Sequence, residues 1–164
     1  MRMGIWCAII NAYESNYWGA IQLLAIGSDH AGYPLKKHLL SFLQSNGFTF
    51  KDVGSVGGEA VDYPLAAKAV ASLVLDGTCE MGILICGTGI GISIAANKIP
   101  GIRCALCADP YSAKMARAHN NANIIALGGR VIGPNLAEEI LSAFLNGSFE
   151  GGRHQTRLDM IEKG

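Results

Sequence analysis

Met81-Gly82-Ile83-Leu84-Ile85-Cys86-Gly87-Thr88-Gly89-Ile90-Gly91 is the stretch on which the fold turns, a short and wholly apolar run that ends in alternating glycines. A strand buried on both faces of a parallel sheet reads as a continuous apolar run, and a run this short bounded by glycine favours a strand over a buried helix. The glycines then hand the chain to a segment with a helical pattern. Met81–Cys86 is therefore a central strand, and its junction with the loop is the candidate active centre.

Working outward, the same rhythm of apolar run, glycine-containing turn and amphipathic segment repeats from Gln22, as in a βαβ series. Leu23–Gly27 reads as a strand running into Ser28-Asp29-His30-Ala31-Gly32. Pro34 suits a first helical turn, Leu35, Leu39, Phe42 and Leu43 share one helical face, and Gly47 ends that helix. Phe48–Val53 alternates as a second strand, and after a glycine-rich loop Asp62-Tyr63-Pro64 supplies cap and entry for a helix to about Leu75. Downstream, Arg103–Cys107 reads as a fourth strand, Asp109-Pro110 opens a helix ending near Asn120, and Asn123–Leu127 is a fifth strand. A helix follows from about Pro134 to Leu145, and the tail from Gly151 leads into a last helical turn or two. The expectation is an α/β protein with a three-layer α/β/α, Rossmann-like fold and a five-stranded parallel sheet. In such sheets ligands lie beyond the carboxyl ends of the strands, and Asp29, His30, Cys86 and Arg130 all follow strands.

Half of the 164 residues are hydrophobic, 16% are charged and 21 are glycine, which suits a buried parallel sheet and excludes disordered and fibrous classes. Thirteen basic residues balance thirteen acidic ones, so no global field draws the chain to nucleic acid or to an anionic membrane surface. No apolar run reaches the roughly 20 residues needed to span a bilayer. The first twenty or so residues lack the small-residue cleavage pattern of a signal peptide. Five cysteines without a framework argue for a reducing compartment, and the expected location is the cytoplasm. Cys104-Ala105-Leu106-Cys107 has the CxxC spacing, but positions three apart on a strand point to opposite faces, which argues against a redox or zinc pair.

Cys86 precedes a run of backbone N–H groups and a helix N-terminus, where the positive dipole end favours thiolate over thiol. From position alone it reads equally as a buried, apolar-like cysteine of a central strand. Gly87, Gly89 and Gly91 permit positive φ and close backbone approach, so successive N–H groups can converge on an anion or a developing oxyanion; a plain tight turn is the alternative. The loop is a poor dinucleotide fingerprint, because it follows the third strand and no suitable acidic residue ends a following strand at the expected distance. It also lacks the Walker lysine-serine pair, and Ile92 stands where a cysteine phosphatase loop has its arginine. His119-Asn120 offers a proton donor or acceptor and an amide, or else a structural histidine. Arg130, Arg153 and Arg157 can grip phosphate in bidentate fashion, or sit solvated at the surface.

Taken together, Gly27-Ser28-Asp29-His30-Ala31-Gly32, Asp62-Tyr63-Pro64, Ile85-Cys86-Gly87-Thr88-Gly89-Ile90-Gly91-Ile92-Ser93-Ile94-Ala95-Ala96-Asn97-Lys98, Ala118-His119-Asn120 and Gly151-Gly152-Arg153-His154-Gln155-Thr156-Arg157 strongly resemble the ribose-5-phosphate isomerase B family. The match runs from about Leu23 to the C-terminus. A sister branch carries a glutamate base where Ile92 stands, so the chain resembles the cysteine-base branch.

The resemblance implies an aldose–ketose isomerase that interconverts D-ribose 5-phosphate and D-ribulose 5-phosphate in the non-oxidative pentose phosphate pathway through a cis-enediolate. Cys86 would be the base, with Thr88 and the amides of Gly87, Gly89, Ile90 and Gly91 around the enediolate and Ser93 shaping the loop. His119 would be the acid that opens the furanose ring, assisted by Asp29. His30, Arg153 and Arg157 would hold the phosphate, Asn120 and Arg130 would bind substrate, and Tyr63 would line the pocket. It also implies no metal and no organic cofactor, and a homodimer with active sites shared between subunits, often paired into tetramers. Allose-6-phosphate or galactose-6-phosphate isomerase would use the same chemistry on a longer sugar, whereas a sugar-phosphate-binding protein would bind without turnover. Residues 1–21, with Trp6, Tyr13, Tyr17 and Trp18, fall outside the family core as an N-terminal extension, and residues 22–164 form the single isomerase domain.

Overall fold

The computed structural model describes residues 23–163, so the extension expected over residues 1–21 lies outside the described residues. Five strands, β1 (Leu24–Ser28), β2 (Phe50–Gly54), β3 (Met81–Cys86), β4 (Cys104–Leu106) and β5 (Ile124–Gly128), form one sheet in the order β2-β1-β3-β5-β4. Every neighbouring pair is parallel. The helices are α1 (Tyr33–Ser45), α2 (Tyr63–Leu75), α3 (Ile90–Asn97), α4 (Pro110–Asn120), α5 (Pro134–Leu145) and α6 (Arg153–Glu162). The expected α/β/α architecture with a five-stranded parallel sheet is what the chain adopts.

Two apolar layers hold it together, and the two-residue period of the strands sorts side chains between them. Ile83 and Ile85 of β3 and Ile125 and Leu127 of β5 face a core with Leu35, Leu39 and Leu43 of α1 and Ile140, Leu141 and Phe144 of α5. Leu84 and Cys86 of β3 and Ile124 and Ala126 of β5 face the other core, with Ala66, Ala67 and Val70 of α2 and Ile92 and Ala96 of α3. The CxxC cysteines obey the same rule: Cys104 lies in the second core and Cys107 in the first. Burial raises the Cys104 thiol pKa to about 12 and that of Cys107 to about 11, so neither acts as a thiolate pair.

Element ends differ from the sequence expectation by one or two residues. β4 is shorter than the expected Arg103–Cys107; it is an edge strand that pairs with β5 alone. The tail forms ten residues of helix rather than a turn or two, since His154 and Leu158, four apart, bury one face of α6. Asp109 caps α4, its carboxylate accepting from the Ser112 N–H at 2.8 Å and hydroxyl at 2.7 Å, and these bonds hold its pKa down. Asp62 occupies the equivalent place before α2 without a capping side-chain bond. Gly47 ends α1 in the left-handed region, at φ 79°.

One buried charge was not foreseen from the sequence. Lys36, on α1, is 0% exposed, and its ammonium donates to the Asp52 carboxylate and to the Ser55 carbonyl. It ties α1 to the carboxyl end of β2, beside the loop that follows β1: the Ser55 N–H donates to the Ser28 carbonyl at 2.9 Å.

Candidate active site

Strand order makes the crevice. The chain leaves β1 for α1 on one face of the sheet and leaves β3 for α3 on the other, although β1 and β3 are neighbours. Loops that part in this way open a cleft at the carboxyl edge, the switch point at which open α/β sheets bind ligands.

Asp29 enters the cleft from β1. It is 7% exposed, and its carboxylate accepts the Gly32 N–H at 2.8 Å, which closes the turn into α1. A Cβ on Gly32 would lie 2.3 Å from the Ile85 carbonyl oxygen, so only glycine lets this turn press against the end of β3. His30, next along, is exposed.

Cys86 enters from β3, 5% exposed, with Gly128 of β5 in register beside it. Its Sγ accepts the Gly89 N–H at 3.2 Å. That donor is the N-cap residue of α3, so the sulfur lies at the helix N-terminus. Of the three loop glycines, which permit positive φ, Gly89 alone takes it, at 77°. A Cβ on Gly91 would stand 3.0 Å from the Tyr63 ring, which lies against the loop. Ser93 donates its hydroxyl to the Ile90 carbonyl at 2.8 Å, and the Ile90 N–H reaches the Thr88 hydroxyl at 3.3 Å.

Gly89 carries a testable consequence. A Cβ there would meet the Leu106 side chain at 2.5 Å and the Leu127 backbone at 2.9 Å, on top of the left-handed strain. Gly89→Ala is expected to destabilise the fold by roughly 2–4 kcal/mol and to pull the N–H away from Sγ. Urea unfolding followed by circular dichroism checks the first effect, and a midpoint equal to that of the native protein would contradict it.

Arg130 completes this edge. Its N–H donates to the Gly87 carbonyl at 3.0 Å, and its side chain lies over Gly87, with the guanidinium 4.0 Å from where a Cβ would be. Asp29, Tyr63, Cys86, Thr88, Ser93 and Arg130 are thus gathered around one loop.

His119, Asn120, Arg153 and Arg157 are elsewhere. α4 starts beyond the carboxyl end of β4 and runs back over its eleven residues, about 16 Å, so His119 and Asn120 finish at the amino edge. There the Asn120 carbonyl accepts from Arg103, the residue before β4, and the Glu150 N–H donates to the Ala118 carbonyl. α6 brings Arg153 and Arg157, both exposed, to the same end. A hollow of about 490 Å³ borders Asn120 here, lined in part by Ile102, Leu158 and Ile161.

Two residues without an assigned role stand in this second cluster. The His154 ring stacks on that of His119, with centroids 4.2 Å apart and planes within 3°. The Glu150 carboxylate lies 3.9 Å from the Nε2 of His119 and 3.7 Å from that of His154. Burial lowers the His154 pKa, aided by the charges of His119, Arg153 and Arg157 and opposed by that of Glu150. His154 sits inside the Gly151–Arg157 motif, so its presence was legible; its stacking on a residue 35 positions earlier was not.

The sequence profile of the ribose/galactose isomerases matches residues 24–161, nearly the whole described chain. The chain belongs to the ribose/galactose isomerase family. It is an enzyme of the aldose–ketose isomerase class. It is 48% identical over 138 residues, 84% of this chain and 93% of the relative, to ribose-5-phosphate isomerase B of Escherichia coli strain K12. It is likewise 48% identical over 139 residues to D-erythrulose-4-phosphate isomerase of Pectobacterium atrosepticum, covering 84% of this chain and 91% of that one. Among solved structures, ribose-5-phosphate isomerase B of Clostridium thermocellum superposes with a TM-score of 0.85 at 51% identity, covering 87% of this chain and 96% of that one. The Thermotoga maritima isomerase gives 0.86 at 46% identity, covering 88% and 99%. Among the described residues of this family member, no helix is long and apolar enough to cross a membrane.

Proposed function

We propose that this isomerase interconverts D-ribose 5-phosphate and D-ribulose 5-phosphate through a cis-enediolate, with Cys86 as the base. The observation that carries the reading is the Gly89 N–H aimed at the Cys86 sulfur, at the mouth of a helix and beyond the end of the central strand. Moving a proton between adjacent carbons needs a base poised near the substrate and donors for the oxygen that becomes negative. The Cys86 thiolate takes the proton from C2 and returns it to C1. The amides of Gly87, Gly89, Ile90 and Gly91, with the Thr88 hydroxyl, face the enediolate oxygens, while Ser93 holds the loop and Tyr63 walls the pocket. Side chains and amides carry this proton transfer without a metal or an organic cofactor.

The working unit is a homodimer with shared sites. What supports this is the separation of the two clusters: one chain keeps its base at the carboxyl edge and its ring-opening candidate at the amino edge. In the dimer, His119 of the partner subunit opens the furanose ring with Asp29. Arg153 and Arg157 of the partner subunit grip the phosphate with His30, and Asn120 of the partner subunit and Arg130 bind the sugar hydroxyls. The enzyme acts in the cytoplasm, where the charge of phosphorylated sugars confines them.

Arg157→Ala is expected to raise KM by roughly 10–100-fold, the value of a charge-assisted hydrogen bond to phosphate, with a small change in kcat. Steady-state kinetics checks it, and a loss confined to kcat would contradict the phosphate role. The substrate reading is tested by comparing kcat/KM on D-ribose 5-phosphate, D-allose 6-phosphate, D-galactose 6-phosphate and D-erythrulose 4-phosphate. Preference for the pentose supports it. Preference for a hexose moves the assignment to a sister activity, and preference for the tetrose to that of the Pectobacterium relative.

A further inference from the structure

We propose that His119, Glu150 and His154 form a binding site for a divalent transition-metal ion of the zinc type, which inhibits the isomerase by occupying the His119 imidazole. The inhibitory part rests on the ring-opening role given above for His119; the binding part does not.

The candidate ligand atoms of these three residues all lie within 4.8 Å of one another. Around a tetrahedral zinc ion with bonds of about 2.1 Å, ligand atoms sit about 3.4 Å apart. The carboxylate is 3.9 Å and 3.7 Å from the two Nε2 atoms, so it closes on the ion with shifts of a few tenths of an ångström. The parallel rings must splay so that their lone pairs converge. In the single chain the His119 side chain is 37% exposed and that of Glu150 59%, while His154, 7% exposed, is the fixed member.

Backbone geometry keeps the set together. The Glu150 N–H donates to the Ala118 carbonyl at 3.0 Å, beside His119, and His154 follows Glu150 by one helical turn. Two imidazoles and one carboxylate suit zinc, copper or nickel, whereas magnesium and calcium prefer oxygen alone. Arg153 and Arg157 repel any cation on electrostatic grounds, which selects further for ions that bond strongly to imidazole nitrogen. An ion held here takes the Nε2 lone pair of His119 and places positive charge where the ring oxygen must approach.

The test is calorimetric titration of the full-length protein with zinc chloride in phosphate-free buffer, together with zinc inhibition of turnover on D-ribose 5-phosphate. One ion per chain is expected, retained in Cys86→Ala, which rules out the active-site thiol as ligand. Binding should weaken by more than the roughly 10–100-fold that loss of an outer-shell partner costs when a ligand is removed in His154→Gln. Glu150→Gln should turn over substrate at close to the native rate yet need at least about tenfold more zinc for half inhibition. Unchanged binding in His154→Gln, or unchanged zinc sensitivity in Glu150→Gln, would overturn the site. Zinc binding that depends on His154 in a protein without turnover would uphold the site and remove the isomerase reading instead.

Discussion

Cys86→Ala is expected to lower kcat on D-ribose 5-phosphate by roughly 10²–10⁴-fold, the contribution of a positioned proton-transfer base. KM and the fold should change little. The sulfur accepts one hydrogen bond, from the Gly89 N–H, and sits at the edge of the α2/α3 core, so its loss leaves a small void next to a solvent-reaching cleft. Backbone bonds that do not involve the thiol hold the loop: the Gly129 N–H on the Cys86 carbonyl at 2.8 Å, the Arg130 N–H on the Gly87 carbonyl, and the Ser93 N–H on the Gly89 carbonyl at 3.2 Å. These bonds survive the substitution. Steady-state kinetics beside urea unfolding separates the two effects. A variant that keeps about a tenth or more of native kcat would take the thiol out of the mechanism.

Mixing two inactive variants is expected to restore turnover. Cys86→Ala lacks the base and His119→Ala lacks the ring-opening acid, so each homodimer is silent. If each site pairs Cys86 of one chain with His119 of the other, a mixed dimer contains one site with both groups and one with neither. Random exchange makes half of the dimers mixed, so about a quarter of native activity returns. A site built within one chain leaves both sites of every mixed dimer defective, and activity stays at the background of the separate variants. The geometry behind this expectation is the path of α4, which carries His119 from the carboxyl edge of β4 back to its amino edge, where Arg103 meets the Asn120 carbonyl.

Much of this was legible along the chain. β3 announces itself as an unbroken apolar run because both its faces are buried, and Gly89 announces the turn because it must adopt positive φ against Leu106 and Leu127. The positions of Pro34, Pro64 and Pro110 in first helical turns follow from local φ constraints. Element ends were less legible: β4 stops at Leu106, opposite Ala126, although β5 continues to Gly128, and no pattern along the chain marks that stop.

The α/β class, the five strands, the glycine loop after Cys86 and the set of chemically capable side chains are readable along the chain. These depend on periodicity and on backbone limits that act within a few residues. Which of those side chains share a place follows from the packed fold alone. The order β2-β1-β3-β5-β4 puts Asp29 beside Cys86, 57 positions away, and the same crossovers send His119 to the opposite edge, onto His154 and Glu150. Such pairings follow from how the helices pack across the two faces of the sheet, a choice made by burial summed over the whole chain rather than by any local pattern.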